Sequence, residues 1–121
     1  MQDIAAKRTP FGRYRGQLAA FNAVELGTYA LKDALKAANL RSSDLDALFM
    51  GNVLSAGLGQ NMARQVAINS GMREESVATT INEVCGSSLK AVRLAQAQML
   101  IGDLDLVAVG GSESMTNAPL L

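Results

Sequence analysis

The 121 residues carry 11 Lys and Arg against 11 Asp and Glu, a formal net charge of zero, and are 49% hydrophobic. That balance removes the electrostatic case for nucleic acid or an anionic membrane surface, and the apolar content excludes a disordered chain. One cysteine makes neither an internal disulfide nor a zinc cluster, and no apolar run approaches the ~18 residues of a membrane span.

The N-terminal "MQDIAAKRTPFG" has no apolar core of a secretory signal. The expectation is a cytoplasmic domain that buries roughly two-thirds of its unfolded surface. At its front only "DIAA" precedes Lys7, a short stretch for a leading strand. "RTPFGRYRGQL" (Arg8 to Leu18) then sets Lys7, Arg8, Arg13 and Arg15 around two aromatics. It reads as a solvated loop, with an anionic ligand or a subunit contact as the functional alternative.

Asn22 with Glu25 forms a capping box for a first helix, whose apolar face runs through Gly27, Leu31, Ala34, Leu35 and Ala38 to Asn39. Ala47 to Val53 is of strand length. "AGLGQNM" (Ala56 to Met62) follows it and opens a second helix, Asn61 to Ser70, but lacks the third small residue of a dinucleotide-binding turn and reads as a flexible loop. Val77 to Asn82 is a second strand. A third helix, starting near Gly86 or Ser87 and ending at Gly102, is apolar nearly all round and is expected to be buried on most sides. Leu104 to Val109 is the last strand, with a tight turn expected at Gly110-Gly111. In "VGGSESMTNAP" (Val109 to Pro119), Glu113 is a candidate buried, paired carboxylate, though the sequence identifies no partner. Strands alternating with helices predict crossover units and a mostly parallel sheet.

Cys85 stands where a polar, Gly/Ser-rich turn gives way to the third helix. A lone cysteine is often just a small buried hydrophobe. Here, however, it precedes the positive end of a helix, which favours a thiolate. Gly86, Ser87 and Ser88 let a substrate approach the backbone, and the N–H groups of the turn are candidate oxyanion donors. Strand, sharp turn, nucleophile and helix is the layout of a nucleophile elbow, without the serine-hydrolase sequence. The 121 residues contain no histidine to act as its base.

"NEVCGSSLKAV" resembles the active-site signature of thiolases, and in particular their biosynthetic, acetoacetyl-CoA branch. "RTPFGRYRGQL", "FMGNVLSAGLGQNMARQVAINSG" and "GGSESMTNAP" resemble further segments of that family in the same order, so the likeness spans essentially the whole chain. Ser88 stands where the family usually carries glycine.

The resemblance implies an α/β fold, a thiolase-like half of order βαβαβαβ with a mostly parallel sheet covered by helices. Residues 1–121 would be a partial thiolase N-terminal domain with the C-terminal half absent. It implies acetyl transfer through Cys85 as catalytic nucleophile, with its own N–H in the oxyanion hole, and condensation of two acetyl-CoA to acetoacetyl-CoA or the reverse thiolysis. Coenzyme A thioesters are then substrates, with no metal or other cofactor. The family's activating histidine, its second cysteine and most of its CoA-binding loop would follow Leu121. A homodimer or homotetramer is implied, pairing through Val77 to Asn82. Two alternatives stay open: a truncated, non-catalytic chain that only self-associates, and a related condensing enzyme of the ketoacyl synthase kind.

Overall fold

The computed structural model describes residues 2–120. Its elements are α1 (Ala23–Ala38), β1 (Ala47–Gly51), α2 (Met62–Asn69), β2 (Val77–Ile81), α3 (Ser87–Leu100) and β3 (Val107–Gly111), with short 3-10 turns at Ser42–Asp44 and Met115–Asn117. The three strands form one parallel sheet in the order β2-β1-β3. This is the α/β class expected, with helices on both faces.

β1 is the central strand and every residue of it is buried. Its alternation divides the core in two, because successive side chains point to opposite faces. Leu48 and Met50 pack with Val24, Leu31 and Leu35 of α1 and with Met62 and Val66 of α2. Ala47 and Phe49 face the other way, onto Ala91 and Ala95 of α3. A strand covered on both sides reads as a continuous apolar run, which "ALFM" is.

α1 starts as the sequence predicts. Asn22 Oδ1 accepts the Glu25 N–H at 2.9 Å while Glu25 Oε1 accepts the Asn22 N–H at 3.1 Å, and Asn39 closes the helix in the left-handed region at φ 54°. β3 starts later than predicted, at Val107 rather than Leu104. The cause is Asp46, whose Oδ2 accepts the N–H groups of Asp105 and Leu106 at 2.9 and 3.0 Å and so holds that stretch as a turn. Gly110 and Gly111 then belong to the strand, not to the turn expected of them.

Two further expectations are corrected. The leading strand is absent: residues 2–12 form neither helix nor strand, and Ile4 is exposed. A strand needs an edge to bond to. The free edge of β3 is separated from this arm by a cleft of about 980 Å³ walled by α1, β3 and the arm itself. The order among the described residues is therefore αβαβαβ. α3, in turn, is buried on one side only, through Ser87, Ala91 and Ala95, while Leu89, Leu100 and Ile101 are each more than 70% exposed. Its outer side carries Leu89 and Leu100 around Arg93 and Gln96, which hydrogen-bond to each other at 2.9 Å.

Candidate active site

β2 ends at Ile81 and α3 begins at Ser87, so the chain must reverse from strand to helix across Asn82–Gly86. Local side chains make that turn. Asn82 Oδ1 accepts the Val84 N–H at 2.9 Å, an Asx turn. The buried Ser87 hydroxyl accepts the Glu83 N–H at 2.8 Å and donates to the Val84 carbonyl at 2.6 Å, latching the turn to the first residue of the helix. Val84 itself has φ 52°. A β-branched residue rarely adopts that left-handed conformation, which stores ~1–3 kcal/mol of strain. This sharp turn presents Cys85, the one cysteine of the chain, as an exposed free thiol just before the helix.

The turn also decides which backbone donors are available beside the sulfur. The N–H of Gly86 is spent on the Glu83 carbonyl at 3.0 Å and that of Ser87 on the Val84 carbonyl at 3.2 Å. With Glu83 and Val84 engaged as above, only the Cys85 N–H between Glu83 and Ser87 has no acceptor among the described residues. The expectation that several turn N–H groups serve as oxyanion donors is thus narrowed to Cys85 itself. Lys90 of α3 and Glu83 of the turn form an exposed ion pair at 3.5 Å, a weak contact in solvent.

Beneath the turn lie two glycines at the ends of neighbouring strands. A Cβ on Gly51 would fall 2.8 Å from the Ser88 nitrogen, and one on Gly111 would collide with the Ser88 hydroxyl. Only hydrogen side chains let α3 settle this closely on the sheet, so the strand-end glycines fix how deep the helix and its preceding cysteine sit. Sequence reasoning missed these residues and the Ser87 latch. The usable signals were glycine inside apolar strands and Asn82 before a left-handed residue.

The remaining motifs make local contacts. In "AGLGQNM", Gln65 Nε2 donates to the Leu58 and Gln60 carbonyls at 2.6 and 2.8 Å, while Thr80 Oγ1 and Asn61 Oδ1 accept the Ala63 and Arg64 N–H groups. The loop is closed on itself, with those helix-start donors already used. In the arm, Arg8 lies 4.6 Å over the Phe11 ring and Arg15 5.3 Å over Tyr14, without carboxylate partners among the described residues. Glu113, expected to be a buried, paired carboxylate, is exposed, and its partners are the amide N–H groups of Asn52, Val53 and Leu54. Cys85 does not line the large cleft.

Residues 4–121 match the family described as thiolase, N-terminal domain. The chain is 46% identical over 116 residues to the cytosolic acetyl-CoA acetyltransferase of Gibberella zeae, covering 96% of this chain and 29% of that protein. It is 49% identical over 118 residues to the acetyl-CoA acetyltransferase of Saccharomyces cerevisiae, covering 96% of this chain and 30% of that one. The crystal structure of Acat5 thiolase from Ascaris suum in complex with coenzyme A superposes with a TM-score of 0.95 at 44% identity, covering 98% of this chain and 31% of that chain. The chain thus spans under a third of the length of these relatives.

Proposed function

This chain belongs to the thiolase family, whose N-terminal domain it matches over residues 4–121, and on that premise we propose that it supplies the nucleophile half of an acetyl-CoA C-acetyltransferase. The carrying observation is the Cys85 turn: an exposed thiol before α3, beside a peptide N–H with no other acceptor. Cys85 Sγ attacks the thioester carbonyl of acetyl-CoA, and the Cys85 N–H donates to the oxygen as it becomes an oxyanion. The C–S bond to coenzyme A breaks, CoA leaves as its thiol after taking a proton, and the acetyl group stays on Cys85. A second acetyl-CoA, deprotonated at its α-carbon, forms the new C–C bond to that acetyl carbon and expels the cysteine sulfur, giving acetoacetyl-CoA. Thiolysis runs the same steps backwards.

The 121 residues contain no histidine and no second cysteine, the residue types that the family resemblance assigns to moving these protons. The acetyl-CoA acetyltransferase relatives and the coenzyme A in the Ascaris complex support this choice of substrate. The cytosolic relative supports a cytoplasmic setting. The outer edge of β2 has no strand partner among the described residues and Val77 on it is exposed, which supports a homodimer or homotetramer pairing there. That edge and the exposed Leu89 and Leu100 of α3 equally suit the second reading, a non-catalytic chain that only associates.

Substitution at the thiol separates the two. In the native protein, Cys85→Ala and Cys85→Ser are expected to abolish acetyl-CoA condensation and acetoacetyl-CoA thiolysis while leaving assembly unchanged. Wild-type turnover in Cys85→Ala would remove Cys85 from the chemistry.

A further inference from the structure

Glu113 lies beyond the end of β3 and reaches across to the end of β1. Its Oε1 accepts from Asn52 Nδ2 at 3.0 Å and from the Leu54 N–H at 2.7 Å, and its Oε2 accepts the Val53 N–H at 3.0 Å. No cation pairs with it among the described residues. Three donors on one carboxylate are charge-assisted bonds, the stronger kind, and they add to the two bonds that join the ends of β1 and β3 without it, Ser112 N–H to the Gly51 carbonyl at 3.1 Å and Asn52 Nδ2 to the Ser112 carbonyl at 3.0 Å.

Those ends lead to Cys85 by two routes. Buried Asn52 donates its backbone N–H to the Ile81 carbonyl at 3.0 Å, the last residue of β2 before the cysteine turn. Adjacent to it, Gly51 accepts the Ser112 N–H at 3.1 Å, and Gly51 and Gly111 form the floor under Ser88. Whatever shifts β3 against β1 at this end tilts that floor and the cysteine above it.

We infer that Glu113 is a positioning residue for acetyl transfer: by clamping Asn52, Val53 and Leu54 it fixes the strand ends on which the Cys85 turn is seated. This rests on Cys85 being the acetyl acceptor. Misplacement of a reacting group by about 1 Å from a remote change slows a step by up to ~100-fold. The clamp acts on placement of the thiol and its N–H, not on substrate affinity.

The test is the single-turnover rate of Cys85 acetylation by acetyl-CoA in native wild type, Glu113→Ala and Glu113→Gln, below the melting temperature of each. Glu113→Ala is expected to lower the saturated rate ~10–100-fold with half-saturation changed less than about threefold. Glu113→Gln keeps one side-chain oxygen as acceptor and is expected to fall between Glu113→Ala and wild type. If Glu113→Ala does not fold, Glu113→Gln decides alone. A folded variant that acetylates at the wild-type rate, or one that only raises half-saturation, overturns the assignment. Failure of wild type itself to acetylate at Cys85 would instead remove the proposed function on which it rests.

Discussion

Gly51 lies so close under Ser88 that a Cβ placed on it would stand 2.8 Å from the Ser88 nitrogen and 2.9 Å from the Ser87 carbonyl carbon. Both neighbours are backbone, which cannot swing aside as a flexible side chain can. Gly51→Ala should therefore lift α3 from the sheet and destabilise by ~1–3 kcal/mol, the range for overpacking a close-packed core. Gly86→Ala is the control, because its Cβ would meet only the Glu83 carbonyl at an ordinary 3.5 Å. Urea unfolding of the two variants should put the midpoint of Gly51→Ala well below that of Gly86→Ala. Equal midpoints would mean that α3 is not seated on Gly51.

The Ser87 hydroxyl links both ends of the cysteine turn, at 2.8 Å to the Glu83 N–H and 2.6 Å to the Val84 carbonyl. Ser87→Ala removes both bonds and nothing else of size. The expected loss is ~1 kcal/mol of stability, together with slower acetylation of Cys85 as Val84 relaxes from its left-handed conformation. Chemical denaturation reads the first and single-turnover kinetics the second. A variant unchanged in both would show that the turn holds its shape without the latch.

At the opposite end of the sheet, Asp46 is held below the usual carboxylate range. The N–H groups of Leu106 and Asp105 are the main cause, with Arg73 at 3.4 Å adding to them. A carboxyl group whose folded pKa is depressed stabilises the fold above its unfolded pKa, about 4. That contribution is lost as pH falls through the lower, folded value. Wild type should thus exceed Asp46→Asn in stability at neutral pH, with the gap narrowing progressively below about pH 4. Paired denaturation curves across that window check it, and a gap that does not change with pH would contradict the role given to the charge.

Much of this was legible in the sequence where chemistry is local. Asn22 and Glu25 announce α1 because a capping box needs only its own residues, and the apolar run from Ala47 announces a strand. Cys85 was placed at a strand-to-helix turn by its neighbours alone. What escaped depends on contacts far apart in sequence. β3 begins at Val107 because Asp46 captures Asp105 and Leu106 across the sheet, and Gly110 and Gly111 are strand residues because they pair with Met50 and Gly51 of β1. Glu113 read as a buried, paired carboxylate without an identified partner, since no pattern marks a carboxylate that peptide N–H groups will hold. The leading strand failed for a related reason: a short stretch such as DIAA says nothing about whether an edge is within reach.

The most direct measurement is the mass of the peptide containing Cys85 after native protein is mixed with acetyl-CoA and quenched in acid. An acetyl increment on that peptide, formed at a rate no slower than turnover and discharged by free coenzyme A, is the expected result. A peptide that stays unmodified while acetoacetyl-CoA accumulates would show that the acetyl group travels by another route and that Cys85 is not the nucleophile.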